Sequence, residues 1–336
     1  MKNRGIVLAA RPEGVPKPTD FRLEETVIPE AGEGEFVVKA EFLSVDPYMR
    51  GRMNDGAASY ADPVALGGVM VGESVGRIIQ SRHDGFQEGQ YVSGMFGWQE
   101  YGLSDGEGVR QIDTGGAPVA TALHVLGMPG LTAYFGLHKV CQVKEGDTVA
   151  VSAAAGAVGS VVGQLAKIKG CRVVGVAGSD EKVRYATENL GYDAAFNYKS
   201  TDNYHKAFKT MCPEGIDVYF DNVGGPISDA VFPRLNLGAR VGICGQISQY
   251  NATETSMGPR LFWHLIVKRA MVRGFLVFDF LPQYREALHQ LTEWYGAGQL
   301  KCREQVADGI ENAPQAFIDM LQGANIGKQL VRLCPE

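Results

Sequence analysis

The chain has 336 residues, enough for two domains or for one large domain with an extensive core. Its formal net charge is −6 and it has no run of like charges, which disfavours nucleic acid and anionic membranes as partners. We find neither a signal peptide nor a stretch of the roughly 18 apolar residues that a membrane helix needs, and therefore expect a cytoplasmic protein.

The six cysteines are scattered along the chain, and no pair has C-x-x-C spacing. This distribution disfavours a thiolate zinc site and a disulfide framework. We expect free thiols that are buried or half-buried.

Residues 1–125 contain short alternating stretches separated by glycines, a pattern typical of strands and turns. Residues 36–41 alternate between apolar and polar, as do residues 69–79 around Gly72 and Gly76. We expect a small β-barrel whose bends require glycine.

Two tyrosines in this region are candidate catalytic residues. Tyr48 lies in the stretch SVDPYMRGRM, residues 44–53, where clustered Asp-Pro, Tyr and Arg are unusual for a loop that only connects strands. Tyr48 and Tyr60 could each donate a proton to a carbonyl group or polarise it. Each could equally be a half-buried loop tyrosine with no part in chemistry.

A turn at Pro129 and Gly130 precedes a predicted helix that starts near Thr132. Beside a bound dinucleotide, the hydroxyl of Thr132 would be placed to bond it. The alternative is that Thr132 simply starts the helix.

Residues 147–179 predict a strand–helix–strand unit around which the rest of the chain is arranged. An apolar run is followed by a turn of small residues, a stretch with helical apolar spacing and a β-branched run. The turn matches the dinucleotide fingerprint with Ala154 in place of the first glycine. Gly156 would let the backbone approach a pyrophosphate at the helix N-terminus, and Gly159 would let the helix pack closely on the strand.

The end of the second strand indicates which dinucleotide binds. An NAD site usually has an Asp or Glu there, which bonds the ribose 2′-hydroxyl. This chain has Ala177-Gly178-Ser179, which leaves room for a 2′-phosphate, and Lys182 and Arg184 follow as candidate counter-charges. Lys182 could also be an ordinary solvated lysine, but the missing acid favours NADP(H).

The α/β alternation continues through residue 244. Residues 197–198, 222–225 and 245–250 lie at the carboxyl ends of predicted strands, which is where a doubly wound sheet binds its ligand. Residues 270–280 are predicted to form a further strand and residues 281–296 an amphipathic helix. The expected fold class is α/β, with a doubly wound parallel sheet domain and a β-barrel domain.

Several segments together resemble the medium-chain dehydrogenase/reductase superfamily, in its zinc-free branch of alkenal/one and leukotriene/prostaglandin reductases, and within that branch the bacterial curcumin-reductase-like enzymes. They are VDPYMRGRMND (45–55), GLTAYFGL (130–137), SAAAGAVGSVVGQLAKIKGCRVVG (152–175), GSDEK (178–182), FDNVGG (220–225), GICGQIS (242–248) and GANIGK (323–328). The resemblance implies a GroES-like catalytic domain, residues 1–125 completed by 299–336, and a Rossmann NADP-binding domain, residues 126–298. It also implies a homodimer whose Rossmann sheets join edge to edge.

The resemblance further implies where NADP(H) binds. The nucleotide would lie on Gly156, Ala157, Val158 and Gly159, with Lys182 on its 2′-phosphate. The remaining cofactor path would be lined by Tyr198, Asn222, Cys244, Gly245, Gln246, Ile247, Ser248, Tyr250, Phe275, Leu276, Val277 and Asn325.

Zinc-dependent members of the superfamily carry a Gly-His-Glu triplet where this chain has Val71-Gly72-Glu73, and the structural-zinc cysteines are missing too. We therefore expect no metal. Some mammalian members have a tyrosine thought to assist catalysis at the position of Val267, which leaves Tyr60 or Tyr48 as the better candidate.

These observations predict NADPH-dependent reduction of a carbon–carbon double bond conjugated to a ketone or aldehyde, as in curcumin, alkenal and 15-oxoprostaglandin reductases. A hydride would go to the β-carbon while a hydrogen-bond donor stabilises the charge that develops on the carbonyl oxygen. Two alternatives stay open: an NADPH:quinone reductase, and an NADPH-binding sensor with low turnover.

Overall fold

The structure is a computed structural model that describes residues 2–55, 60–113 and 115–333. The chain divides into two compact units. Met1–Leu123 and Glu304–Glu336 make up the first, here called the terminal unit, and His124–Arg303 make up the second, the central unit. Cys141, Cys171 and Cys212 are buried free thiols and Cys244 and Cys302 are half-buried ones, as expected, while Cys334 lies outside the described residues.

The strands, in chain order, are β1 (Lys2–Leu8), β2 (Phe21–Val27), β3 (Phe36–Ser44), β4 (Ser74–Ser81), β5 (Tyr91–Gly94), β6 (Tyr101–Ser104), β7 (Arg110–Gln111), β8 (Thr148–Ser152), β9 (Arg172–Ala177), β10 (Ala194–Asn197), β11 (Ile216–Asp221), β12 (Leu235–Ile243), β13 (Met271–Gly274), β14 (Glu304–Asp308) and β15 (Lys328–Arg332).

The α-helices are α1 (Met49–Arg52), α2 (Met128–Phe135), α3 (Ala157–Ile168), α4 (Asp180–Arg184), α5 (Tyr204–Met211), α6 (Gly225–Val231), α7 (Phe262–Lys268), α8 (Tyr284–Gly296) and α9 (Ala313–Leu321). A π-helical turn extends α2 over Gly136–Val140 and another extends α4 over Tyr185–Asn189. Within the described ranges, no helix combines the length and the apolarity needed to cross a bilayer.

The central unit is built on one parallel sheet with the strand order β10-β9-β8-β11-β12-β13. This order, in which the chain starts in the middle and proceeds first to one edge and then to the other, is that of a Rossmann fold. It confirms the predicted doubly wound sheet. The middle strand β8, of sequence TVAVS, is buried along its whole length, as expected for a parallel strand covered on both faces.

Helices cover both faces of this sheet. On one face, α3 buries Val161, Val162 and Leu165 in a cluster with the apolar side chains of β8 and β9. On the other face, Phe208 of α5 and Val231 of α6 pack in a second cluster with β11 and β12. The two layers hold the sheet rigid, so that the loops at its carboxyl edge start from fixed points.

The predicted strand over residues 270–280 is wrong beyond Gly274. β13 ends there, and the 3-10 helix Val277–Gln283 follows. The carboxylate of Asp279 accepts a hydrogen bond from the backbone N–H of Leu276 (3.2 Å), a local bond that favours a helical start over an extended chain. Phe280 then stacks on Phe135 with ring centres 4.7 Å apart, and this packing turns the segment into the core.

The terminal unit contains a sheet with the strand order β14-β15-β3-β4-β5-β7, in which β6 also pairs with β3, and a separate β1-β2 ribbon. Because β15 pairs antiparallel with β3, the two ends of the chain form one sheet. Trp98 lies at the centre of the core, stacked on Phe21 (5.8 Å) and edge-on to Phe317 of α9 (5.7 Å).

Two sequence predictions for this unit need correction. The strand expected from residue 69 begins only at Ser74, and Val69 forms an isolated bridge with Val7. Before Ser74 the backbone bonds to other segments: the N–H of Met70 donates to the carbonyl of Ile6 (2.9 Å), and the carbonyl of Met70 accepts from the N–H of Trp98 (2.8 Å). The region also contains the short helix α1, where the sequence pattern indicated a loop.

Candidate functional site

The turn between β8 and α3 places a helix N-terminus at the carboxyl edge of the central sheet. Ala153 has a left-handed backbone (φ 52°), and Gly156 is the N-cap, whose carbonyl accepts a hydrogen bond from the N–H of Ser160 (2.9 Å). The N–H groups of Ala157 and of the next two residues have no acceptor within the helix, by the geometry of a first helical turn. Together with the helix dipole they form a site suited to a phosphate group.

Glycines allow this helix to start close to the sheet. A Cβ atom on Gly159 would lie 2.2 Å from the carbonyl oxygen of Ala153, and one on Gly163 would lie 2.0 Å from the ring of Tyr192. The hydroxyl of Tyr192 donates a hydrogen bond to the carbonyl of Gly159 (2.7 Å), and burial raises its pKa well above the usual range. The first turn of α3 is therefore held by packing that any larger residue would disrupt.

The ends of β9 and β10 form a corner that contains two lysines. The Ser179 hydroxyl caps α4 by accepting a hydrogen bond from the N–H of Lys182 (3.2 Å). Burial, and after it the like charge of Lys199, lowers the pKa of the Lys182 amine to about 8. A bound anion would offset the repulsion between the two lysines and favour the charged form of Lys182, which is the property expected of a phosphate site.

Tyr198, directly after β10, borders this corner. The Tyr198 ring packs close to Gly178, where an added Cβ would lie 3.1 Å from a ring carbon. Arg184 is exposed at the end of α4. Sequence reasoning missed Lys199, although its position directly after Tyr198 at the end of a strand was a usable signal.

The loops after β11 and β12 are bonded to each other. Asn222 donates from its side-chain amide to the carbonyl of Ser152 (2.7 Å), which fixes it beside β8. Ser248 donates from its hydroxyl to the carbonyl of Val223 (2.6 Å), and the N–H of Gln246 donates to the Tyr250 hydroxyl (3.3 Å). Residues 244–250 thus lie against residues 222–225, as expected for neighbouring ends of parallel strands.

The other predicted cofactor residues differ in their burial and in the hydrogen-bonding groups that are left for a ligand. The Thr132 hydroxyl already donates to the carbonyl of Met128 (2.7 Å), so that only its oxygen lone pairs are left for a ligand. The side chains of Phe275 and Val277 belong to the core, and Leu276 between them is half-buried. Burial raises the pKa of the Cys244 thiol to about 12, so this residue is a neutral packing group.

The candidate residues of the terminal unit lie in two of its loops. Tyr48 immediately precedes α1, with its hydroxyl 4.0 Å from the sulfur of Met95. The pKa of the Tyr48 phenol is raised well above 10, by burial first and then by Asp46, Glu73 and Tyr60. Tyr60 is 57% exposed and close enough to Tyr48 for this influence. A phenol with a raised pKa stays protonated and can donate a hydrogen bond.

Asn325 is in the loop before β15. Its side-chain amide donates to the carbonyl of Gly327 (2.8 Å), which leaves its side-chain oxygen as an acceptor. The predicted residues therefore fall into a large set in the central unit and a small set, Tyr48, Tyr60 and Asn325, in the terminal unit.

Two family models match the chain. One, described as the N-terminal domain of oxidoreductase, covers residues 4–112, and the other, described as zinc-binding dehydrogenase, covers residues 157–293. The NADPH-dependent curcumin reductase of Escherichia coli is 45% identical, over 99% of this chain and 97% of that protein. The chain belongs to the medium-chain dehydrogenase/reductase family.

Two further members of the family support this assignment. The NADP-dependent 2-alkenal reductase of Nicotiana tabacum is 42% identical, over 100% of this chain and 99% of that protein. The crystal structure of CurA from Vibrio vulnificus in complex with NADPH superimposes with a TM-score of 0.94 at 45% identity and covers 99% of this chain and all of that chain. The predicted combination of a Rossmann domain with a GroES-like domain is confirmed.

One matching family model is described as zinc-binding dehydrogenase, but residues 71–73, at the position of the zinc ligand in zinc-dependent members, do not fit a zinc site. The histidine of the zinc-dependent medium-chain dehydrogenases is replaced by Gly72, and a Cβ there would lie 2.9 Å from side-chain atoms of Leu43 and Trp98. The neighbouring Glu73 accepts a hydrogen bond from the Ser93 hydroxyl (2.6 Å), and burial raises its pKa. A histidine cannot enter this position without repacking the core.

Proposed function

We propose that the protein uses NADPH to reduce carbon–carbon double bonds conjugated to a ketone or aldehyde. The observation that carries this proposal is the similarity of the whole chain to a curcumin reductase and to a 2-alkenal reductase. Curcumin and 2-alkenals share an alkene conjugated to a carbonyl group, and a hydride acceptor of this kind needs no metal if a donor stabilises the carbonyl oxygen.

We propose that the central unit holds the nucleotide. Its pyrophosphate would lie on the N–H groups at the start of α3, and its 2′-phosphate would lie between Lys182 and Lys199. The loops that contain Asn222 and Gln246 would flank the remaining part of the nucleotide. NADPH supplies a hydride when bound, and these residues hold it in one orientation and keep water away.

We propose that Tyr48 or Tyr60 supplies the hydrogen bond to the carbonyl oxygen of the acceptor. Charge develops on this oxygen as the β-carbon is reduced, and a protonated phenol stabilises it. The phenol of Tyr48, whose pKa is raised by burial, stays protonated throughout the physiological range and so meets this requirement, as a tyrosine of ordinary pKa also does. Protonation of the α-carbon then completes the reaction, with water as the proton source.

Turnover of a substrate panel tests the proposal. The purified protein is mixed with NADPH and, separately, benzylideneacetone, a 2-alkenal, a quinone and the corresponding saturated ketone. We expect rapid oxidation of NADPH by the enone and the alkenal, and deuterium from C4-labelled NADPH at the β-carbon of the product. Preference for the quinone would identify a quinone reductase, and tight NADPH binding without turnover of any compound would identify a sensor.

We also propose that the protein is a homodimer joined at β13. This strand is at the edge of the central sheet, and its residues Met271 and Val272 are exposed. The adjacent α7 exposes Phe262 (81%), Trp263 (68%) and Ile266 (67%). An open edge beside an apolar patch is a typical surface for pairing with a second copy of the same chain.

The oligomeric state in solution tests this interface. Trp263→Glu combined with Ile266→Glu should convert the dimer to a monomer, measured by size-exclusion chromatography with light scattering. Val27→Glu, at an apolar residue of β2 that is more exposed (86%) than Trp263 or Ile266, is the control and should leave the dimer intact. A wild-type monomer at micromolar concentration would contradict the proposal.

We propose a cytoplasmic location. Support comes from the free thiols of Cys141, Cys171 and Cys212, which are buried in the central unit and suit a reducing compartment. Immunodetection after cell fractionation tests this location, and recovery outside the cytoplasmic fraction would contradict it.

A further inference from the structure

A buried carboxylate joins neighbouring strand ends at the carboxyl edge of the central sheet. Asp221 is the last residue of β11 and is 1% exposed. Its Oδ1 atom accepts hydrogen bonds from the Ser152 hydroxyl at the end of β8 (3.0 Å) and from the hydroxyl of Tyr219 (2.9 Å). The same oxygen accepts from the backbone N–H groups of Val223 and Gly224, each at 2.9 Å. This oxygen therefore fixes the turn that follows β11.

The other carboxylate oxygen reaches the next loop and α6. Oδ2 accepts hydrogen bonds from the Ser228 hydroxyl of α6 (2.7 Å) and from the side-chain amide of Gln246 (3.3 Å). The backbone carbonyl of Asp221 accepts from the N–H groups of Cys244 (2.8 Å) and Gly245 (3.1 Å). One residue thus bonds to both of the loops that follow β11 and β12.

The donors around the Asp221 carboxylate are all neutral groups. A buried carboxylate is tolerated only while its hydrogen bonds are made, because burial removes the water that would otherwise solvate it. Burial, and then the charge of Asp221, raises the pKa of the Tyr219 phenol well above its ordinary value. The Tyr219 hydroxyl therefore stays protonated and remains a donor to Asp221. Moving either loop would leave donors and acceptor unpaired in a dry environment, so the network favours one arrangement of both loops.

We propose that Asp221 is a positioning residue for the nucleotide. It acts through the loops in two ways. The Ser152 hydroxyl, which donates to Asp221, accepts a hydrogen bond from the backbone N–H of Asn222 (2.8 Å). The Asp221 carboxylate itself accepts from the side-chain amide of Gln246. The proposal rests on the proposed function to the extent that these loops form part of the NADPH site. Asp221 stabilises them in the binding arrangement before the nucleotide arrives, so that little ordering is needed on binding.

Direct binding measurements on purified full-length variants test this role. Dissociation constants for NADPH and NADH are measured by fluorescence titration, well below the unfolding temperature of each variant. Asp221→Ala should weaken the binding of both nucleotides about tenfold, because it leaves several buried donors unpaired. The ratio between the two constants should not change, since the corner of Lys182 and Lys199 is left intact.

Asp217 provides a matched control on the same strand. Its carboxylate accepts from the N–H of Thr148 (2.9 Å) and from the side-chain amide of Asn236 (2.8 Å), and so also bridges β11 to β8 and β12, but at the opposite end of β11. Asp217→Ala should lower the melting temperature and leave both dissociation constants unchanged. Equal weakening by Asp217→Ala and Asp221→Ala would overturn the proposal, because it would reveal a general effect on the sheet.

Asp221→Asn keeps the proposal testable if Asp221→Ala does not fold. The amide retains one acceptor oxygen for the turn after β11 and loses the second, so we expect about threefold weaker binding of both nucleotides. Wild-type affinity in the Asp221 variant that folds would overturn the positioning role. Failure of the wild-type protein to bind NADPH would instead contradict the proposed function, which distinguishes the two failures.

Discussion

Lys328 and Asp46 form an ion pair inside the terminal unit, with Nζ 2.8 Å from Oδ1 and both side chains almost completely buried. The same amine donates to the carbonyl of Val45 (2.8 Å), and the other oxygen of Asp46 accepts a hydrogen bond from the Ser44 hydroxyl. The pair connects the first residue of β15 to the loop that contains Tyr48. The loop of a candidate catalytic residue is thus held from the far end of the chain.

Removal of one member of this pair should strongly destabilise the protein. Lys328→Met leaves the Asp46 carboxylate buried without its cation, which is expected to lower the free energy of unfolding by about 3–5 kcal/mol. The measurement is chemical denaturation followed by tryptophan fluorescence. The double variant Lys328→Met with Asp46→Asn removes both charges and should recover a large part of the loss. If the double variant is no more stable than Lys328→Met, the unpaired charge of Asp46 is not the cause of the destabilisation.

Lys182 of α4 and Lys199, which follows β10, should determine the preference for NADPH. Lys182→Ala is expected to raise the KM for NADPH roughly tenfold or more and to leave that for NADH nearly unchanged, because only NADPH carries the 2′-phosphate. Lys199→Ala should act in the same direction. Arg184→Ala, at an exposed residue of α4, is the control and should alter neither KM. Equal effects on the two nucleotides would remove the lysines from this role.

The preference for NADPH should decrease at alkaline pH. The pKa of Lys182 is about 8 in the free protein, so the cation predominates below pH 8 and is lost as the pH rises through that value. The kcat/KM for NADPH should therefore fall above pH 8 relative to that for NADH, since kcat/KM reports the free enzyme. Lys182→Arg keeps its charge at any of these pH values and should abolish the change. A parallel decline with both nucleotides would point to a different group.

Replacement of the phenol that bonds the acceptor should slow the reaction. For Tyr48→Phe or Tyr60→Phe, whichever residue donates, we expect kcat to fall by about 10²–10³ with little change in the KM for NADPH. Tyr91→Phe, at a residue whose ring lies under Arg77, is the control and should have wild-type kinetics. If both active-site candidates keep full activity, the donor is elsewhere, and the ribose hydroxyl of the cofactor becomes the leading candidate.

Local sequence patterns were sufficient to predict the strand–helix–strand arrangement of the central unit. Runs of β-branched residues, helical apolar spacing and the turn around Gly156 each reflect short-range geometry, and in this part of the chain the tertiary packing agrees with it. The same short-range reasoning failed for residues 275–280. There the alternation of Phe275 and Val277 suggested a strand, but a side-chain bond from Asp279 and the stacking of Phe280 on Phe135 produce a 3-10 helix.

By itself the sequence determined the fold class and the choice of NADP(H) over NAD(H), because the order of elements and the missing acid after β9 can be read along the chain. Only the tertiary structure revealed that Lys199 lies close enough to Lys182 to lower its pKa, that Asp221 bonds to two loops and that Lys328 forms an ion pair with Asp46. Each of these relationships joins residues that are distant in sequence or that belong to different strands. Their distances and burial, and therefore their energies, exist only once the sheets have formed.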